Sequence, residues 1–316
     1  MIRLPAPRFE VMAEGLAFPE GPVALPDGSV VLSEIAARRV THVRPDGRVR
    51  TLAEPGGGPN GLAVAPDGSL WCCNGGGTRF RDLGDGLLQP WGASEDWSGG
   101  RVERIAPATG RVERVFDAVE GHAVTSPNDL CFDAFGGCYV TDLGKTTGRS
   151  RALGGVAYAP ADGSAPPRWA VWPVETANGL GLSPDGSALH VAETITARLW
   201  SFPVGAPGEV AVADSRWERG RLLAAPGGLW AFDGLAVQAD GAVCVATLLD
   251  GGITRARPGG GEAEHLPLPD MYVTNLCFGG PGRRTAYVTL SSRGLLLRAA
   301  WDAPGLPPAF HDRIAL

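Results

Sequence analysis

Six times along the chain, a residue with a side-chain oxygen stands directly ahead of a short apolar run. The segments are Pro19-Glu20-Gly21-Pro22-Val23, Pro59-Asn60-Gly61-Leu62-Ala63, Pro127-Asn128-Asp129-Leu130-Cys131, Ala177-Asn178-Gly179-Leu180-Gly181, Phe232-Asp233-Gly234-Leu235-Ala236 and Thr274-Asn275-Leu276-Cys277-Phe278. Positions 20, 60, 128, 178, 233 and 275 follow one another at steps of 40, 68, 50, 55 and 42 residues. A period of roughly 40–50 residues built from strands is that of β-propeller blades. The apolar runs are short, partly β-branched or aromatic, and broken by turns such as Pro26-Asp27-Gly28 and Pro66-Asp67-Gly68, which argues against a helical repeat. Weaker strands between the strong hairpins, such as Val40-Thr41-His42-Val43 and Val102-Glu103-Arg104-Ile105, supply four strands per unit. The expected fold is all-β, a six-bladed propeller forming a single domain over residues 1–316.

Two irregularities fit that frame. The long second step holds an insertion at about residues 78–99, rich in Gly and acidic residues and carrying Trp91 and Trp97, which reads as a rim or lid loop. Arg8-Phe9-Glu10-Val11-Met12 reads as an isolated strand that completes the last blade and closes the ring.

The first strand of each blade lines the central channel, so a residue just ahead of it lies at one channel mouth. Glu20, Asn60, Asn128, Asn178, Asp233 and Asn275 are therefore expected to face one another, with Gly21, Gly61, Gly179 and Gly234 allowing close approach near the axis. Two carboxylates among amide oxygens, with no His or Cys, form a hard-oxygen donor set suited to one divalent cation. Such a cation also relieves the repulsion that otherwise raises the pKa of each carboxylate. Calcium is the first choice; magnesium, manganese, zinc and ferrous iron also suit oxygen ligands.

The net charge of −6 and pI near 5.4 argue against nucleic acid or a membrane surface as partner. No apolar run approaches the roughly 20 residues of a membrane span, and the N-terminus lacks a long apolar signal region. Cys72, Cys73, Cys131, Cys138, Cys244 and Cys277 all lie in apolar strands without a CxxC pair, so they read as free thiols in a cytoplasmic protein. Lys145, the sole lysine, sits in a loop that gives no sign of a desolvated Schiff-base site.

These same segments resemble the SMP-30/gluconolactonase/luciferin-regenerating-enzyme family over nearly the full chain. The resemblance extends to Cys277-Phe278-Gly279-Gly280 with Ala286-Tyr287-Val288-Thr289 in the closing repeat. It implies a six-bladed propeller with a central divalent metal, and hydrolysis of a sugar lactone. By motif it implies Glu20, Asn178 and Asp233 as metal ligands, Asn128 as a further ligand or substrate contact, and Asp233 as general base. Asn60, Asn128 and Asn275 are substrate-lining candidates. Where some members carry an Arg two residues before Asn128, this chain has Ser126, so recognition through that Arg does not transfer.

Other readings are weaker. Gly56-Gly57-Gly58-Pro59-Asn60-Gly61 fits a dinucleotide fingerprint but opens a strand, and no G-x-S-x-G elbow occurs. His122 is the histidine nearest the expected mouth, with a surface role favoured. A phosphotriesterase of the diisopropylfluorophosphatase type and a non-catalytic calcium-binding or interaction propeller are the alternatives to a lactonase. Substrate selection is expected from rim segments: the insertion, residues 145–151, and Met271-Tyr272, with Trp97 and Tyr272 as stacking or packing aromatics. A monomer or weak oligomer acting on a small molecule is the expected form.

Overall fold

A turn that recurs along the chain shows how the sequence forces the strands to reverse. In Pro26-Asp27-Gly28-Ser29 the Asp27 carboxylate accepts from the Ser29 amide at 2.9 Å, while Gly28 takes φ 83°. Asp67, Gly68 and Ser69 repeat the device with a 3.0 Å bond, as do Asp185, Gly186 and Ser187. The Asp side chain substitutes for a backbone acceptor, and only Gly enters the left-handed region without strain.

The computed structural model describes residues 1–215 and 219–316. Its strands form six principal antiparallel sheets arranged as a six-bladed propeller. Blade 1 runs outward through Pro19–Ala24, Val30–Glu34, Arg39–Val43 and Val49–Ala53. Blade 2 follows with Pro59–Val64, Leu70–Asn74, Arg101–Ile105 and Val112–Phe116, and blade 3 with Pro127–Phe132, Gly137–Asp142, Gly154–Pro160 and Arg168–Val174. Blade 4 comprises Ala177–Leu182, Ala188–Glu193, Arg198–Pro203 and Arg221–Ala224. Blade 5 comprises Ala231–Val237, Val243–Leu248, Gly252–Ala256 and Glu264–Pro267. Blade 6 takes Val273–Gly279, Thr285–Leu290 and Leu295–Ala300 from the end of the chain and Phe9–Ala13 from its start. The first strands of neighbouring blades touch all the way round, including blade 6 against blade 1.

The closing strand lies where the sequence placed it, with Phe9 opposite Ala299 and Val11 opposite Leu297. A second clasp was not expected: Ile2–Arg3 pairs in parallel with Glu264 and His265 on the outer edge of blade 5. Hydrophobic cores fill the wedges between blades. Cys72 packs with Val31, Leu62 and Ile105 between blades 1 and 2, whereas Cys73 packs with Val102, Leu130 and Val140 between blades 2 and 3. Adjacent side chains on a strand thus serve two different wedges, as the period-2 alternation requires. All six cysteines are free; four are buried, with Cys131 and Cys277 partly so. No helix among the described residues is long and apolar enough to cross a membrane.

The insertion is a hairpin, Thr78–Asp82 against Leu88–Ala93. It lies over the mouth-side loops rather than extending a blade. Phe80 meets Phe18 at 4.9 Å between ring centroids, Leu88 N–H donates to the Ser292 carbonyl at 3.0 Å, and the Gln89 amide donates to the Tyr272 hydroxyl at 2.9 Å. At the opposite end of the channel, Leu306–Ala309 cross below the first strands and line a cavity of about 720 Å³.

Candidate functional site

At the mouth, each candidate side chain is set by the start of a first strand. Glu20, Asn128, Asn178 and Asp233 are buried, and Asn60 is partly so. The loops ahead of them are pinned by a second group of residues, one strand further out. Glu34 accepts from Ala17 N–H at 2.7 Å and is held by Arg39 at 2.7 Å. The Asn74 side-chain oxygen accepts from Gly58 and Gly76 at 2.8 and 3.0 Å. Asp142 accepts from the amides of Thr125, Ser126 and Gly144 at 2.9, 2.8 and 3.0 Å. Glu193 accepts from Glu175 N–H at 3.1 Å. This group was not anticipated from the sequence, although its signal is there: positions 34, 74, 142 and 193 follow the ring residues at nearly constant offset.

The structure corrects the register of the sixth repeat. Val273 opposes Leu290, which closes its hairpin on Leu295 as Glu34 closes on Arg39, so Val273 occupies the position of Pro19. The counterpart of Glu20 is therefore Thr274, and Asn275 stands where Gly21 does. Thr274 hydrogen-bonds Glu20 and shares its hydroxyl with Thr289 at 2.9 Å. The same register puts Asp129 on a glycine position, a role not expected from the repeat pattern. Four glycines and two polar residues thus make a second tier below the mouth.

Steric fit explains this tier. A Cβ added to Gly61 would lie 2.5 Å from an Asp129 carboxylate oxygen and 2.6 Å from its Cα. A Cβ on Gly234 would strike the Asn275 side chain. The glycines leave room for two side chains from facing blades. Asn275 donates to Glu20 at 2.9 Å and also hydrogen-bonds Asp129, while its own oxygen accepts from Leu276 N–H at 2.8 Å. Its amide is fully used within the protein.

Three carboxyl groups consequently share a dry space. Burial, opposed by bonds from Asn275, Gly21 and Thr274, pushes Glu20 up to about 7. Burial and then the charge of Glu20 push Asp129 up to about 7. Burial and Glu20 hold Asp233 well above the carboxylate range, with an Asn178 hydrogen bond acting the other way. Two acceptors are orphaned among them: Asn178 donates to Thr194 at 2.9 Å, but its side-chain oxygen has no partner, nor has that of Asn60. Among the described residues, the Asn128 side chain makes no hydrogen bond. Buried, unpaired oxygens beside carboxylates forced toward protonation are what a cation-binding cradle presents before loading. No group of three or more His, Cys, Asp or Glu side chains converges as a metal cluster among the described residues. A cation held here depends on the Asn oxygens.

The remaining candidates fall outside this group. His122 is exposed on a short ladder with Val119. Tyr272 is buried and packs edge-on against Phe18 at 5.9 Å, so its role is packing. Trp97 is exposed at the rim, its indole N–H donating to the Gly75 carbonyl at 2.8 Å.

Comparison with known proteins follows the same lines. The chain is 27% identical over 223 residues to a gluconolactonase of Zymomonas mobilis, covering 63% of this chain and 56% of that protein. It is 30% identical over 141 residues to a 6-deoxy-6-sulfogluconolactonase of Pseudomonas putida, covering 45% and 47%. The matches thus span about half the length of these relatives. A solved gluconolactonase structure from Xanthomonas campestris superposes with a TM-score of 0.72 at 22% identity, over 93% of this chain and 89% of that one. The family model for the SMP-30/gluconolactonase/LRE-like region matches residues 18–292, and the chain belongs to that family.

Proposed function

We propose that the protein is a divalent-metal-dependent lactonase that opens a sugar lactone at the channel mouth. The carrying observation is the orphaned Asn178 oxygen in the company of carboxyl groups that burial, and at Asp233 also the charge of Glu20, drive toward protonation. Glu20, Asn178 and Asp233 would hold the ion, with Asn128 as a further ligand or a substrate contact. Calcium suits an all-oxygen set containing two carboxylates, as does magnesium or manganese. When bound, such an ion supplies Lewis acidity toward the ester carbonyl and a lowered pKa for water.

The chain's own residues do the rest. Asp233, ionised once the repulsion is relieved, accepts the proton of the attacking water, a contribution on the order of 10²–10⁴ in rate. Asn128 and Asn60 line the mouth with amides free to donate to sugar hydroxyls or to the oxyanion as the ring opens. Asn275 does not serve as a substrate contact in this reading; it orients Glu20 from below. The lactonase names of the two curated relatives support the same reaction class.

Chelator-treated protein should not hydrolyse glucono-1,5-lactone, and added calcium, magnesium or manganese should restore activity. Asp233→Ala and Glu20→Ala should each lower kcat/KM by at least 10²-fold. Full activity in the metal-free protein would refute the proposal. Turnover of an organophosphate but not of any lactone would move the reading to a phosphotriesterase.

A further inference from the structure

Lys145 lies partly buried at the foot of a small ladder, Lys145–Thr147 against Ser150–Ala152, on the mouth side of blade 3. Its base is fixed from below. Asp142 holds the Thr125 and Ser126 amides, and Leu143 N–H donates to the Ser126 carbonyl at 3.0 Å. Ser126 precedes Asn128 by two residues, and two extended residues span roughly 7 Å. Lys145, two residues beyond Leu143, therefore rises from the loop that abuts the entrance to Asn128. From blade 2, Trp97 approaches so that the Lys145 ammonium lies 4.5 Å from its ring centroid. A cation–π contact orients an ammonium without neutralising it.

Among the described residues that ammonium has no acceptor. Other partly or fully buried cations are paired: Arg39 with Glu34, Arg101 with Glu103, Arg151 with Glu175, and Arg255 with Glu264 and Asp302. Among the described residues, Lys145 is the one partly buried cation whose nitrogen meets neither a carboxylate nor a carbonyl. Neighbouring Asp142 spends its oxygens on backbone amides, and Arg149 at the ladder's turn is exposed. Loss of water around Lys145 holds its pKa below the ordinary lysine value, with Asp142 opposing. A cation that is desolvated, aimed by an aromatic ring and left unpaired beside a ligand site is completed by an anion.

We propose that Lys145, oriented by Trp97, is a specificity residue that receives an anionic oxyacid group carried by the lactone substrate away from its scissile ester. This rests on the lactonase reading and narrows its substrate class from neutral to acidic sugar lactones.

The test compares wild-type, Lys145→Gln and Lys145→Arg proteins, calcium-loaded, on glucono-1,5-lactone and 6-phosphoglucono-1,5-lactone. Wild type should favour the phosphorylated lactone by at least 10-fold in kcat/KM. Lys145→Gln should lose about 10- to 100-fold on it, mainly through KM, and at least tenfold less than that on the neutral lactone. Lys145→Arg should keep most of the preference. Equal losses on both lactones, or none on either, would overturn the proposal. Calorimetric binding of 6-phosphogluconate separates this inference from the reaction it rests on. If neither lactone is opened but Lys145→Gln weakens that binding tenfold, the Lys145 site stands and the lactonase reading alone fails. Unchanged binding overturns the Lys145 site.

Discussion

Glu20 is a carboxyl group out of water, bonded by an amide from the opposite side of the ring seam and facing two other acids. Its displacement from 4.5 to about 7 is a statement about stability as well as about acidity. Between those values the unfolded chain has released the proton and the folded chain has kept it, so metal-free stability falls as pH rises from about 4.5 through 7. Asp129, raised from 3.8 to about 7, acts in the same direction. Chelated protein should therefore melt at a lower temperature at pH 8 than at pH 5, and saturating calcium should remove most of that difference. Equal melting temperatures for the chelated protein at both pH values would refute this account. Gly61 gives a second prediction: Gly61→Ala should destabilise by at least about 2 kcal/mol in urea unfolding, because Asp129 backbone and carboxylate occupy the space. Glu20, Asn178 and Asp233 were legible because their residue type recurs at one place in a repeat. Thr274 was not, since the oxygen-bearing Asn275 beside it offered a more conspicuous match one residue along. Asp129 was hidden for the same reason, standing next to Asn128 in a place where other repeats need only the absence of a side chain.

At the scale of elements, the outer group of Glu34, Asn74, Asp142 and Glu193 turns flexible loops into fixed entrances to the first strands. Asp142→Ala would leave three amides without acceptors in a buried corner, at a cost of about 2–4 kcal/mol. Thermal unfolding should show that loss, and metal affinity should fall with it as Asn128 loses its anchor. Asp142→Asn, which keeps one acceptor oxygen, should recover part of both. The blades themselves could be read from turn chemistry and alternation, which are local. Where the insertion goes is not local. Phe80, Leu88 and Gln89 find partners on blades 1 and 6, and no spacing in the sequence specifies which rim a hairpin will cross. Replacing residues 79–93 by a short Gly-Ser turn should leave the ring folded, because no blade pairing is lost. It should also raise kcat/KM for bulky lactones relative to glucono-1,5-lactone.

For the whole molecule, the ring closes on partners far apart in sequence: Phe9 opposite Ala299, and Glu20 hydrogen-bonded to Asn275. Deleting residues 1–13 would strip the outer strand from blade 6 and the parallel clasp from blade 5 together. Melting temperature should fall by well over the few degrees that an edge residue is worth, with hydrogen exchange rising first along Leu295–Ala300. The parallel clasp escaped the sequence because two residues, Ile2 and Arg3, carry no readable alternation. The seam also has a consequence for synthesis. A ribosome releases Glu20 long before Asn275 and Ala299 emerge, so a nascent chain can stack its early blades yet cannot assemble its acidic centre. The acidic centre is therefore completed only once Asn275 and Ala299 have emerged, and fragments that stop short of them, although able to form blades, would carry an open ring with its carboxylates in water.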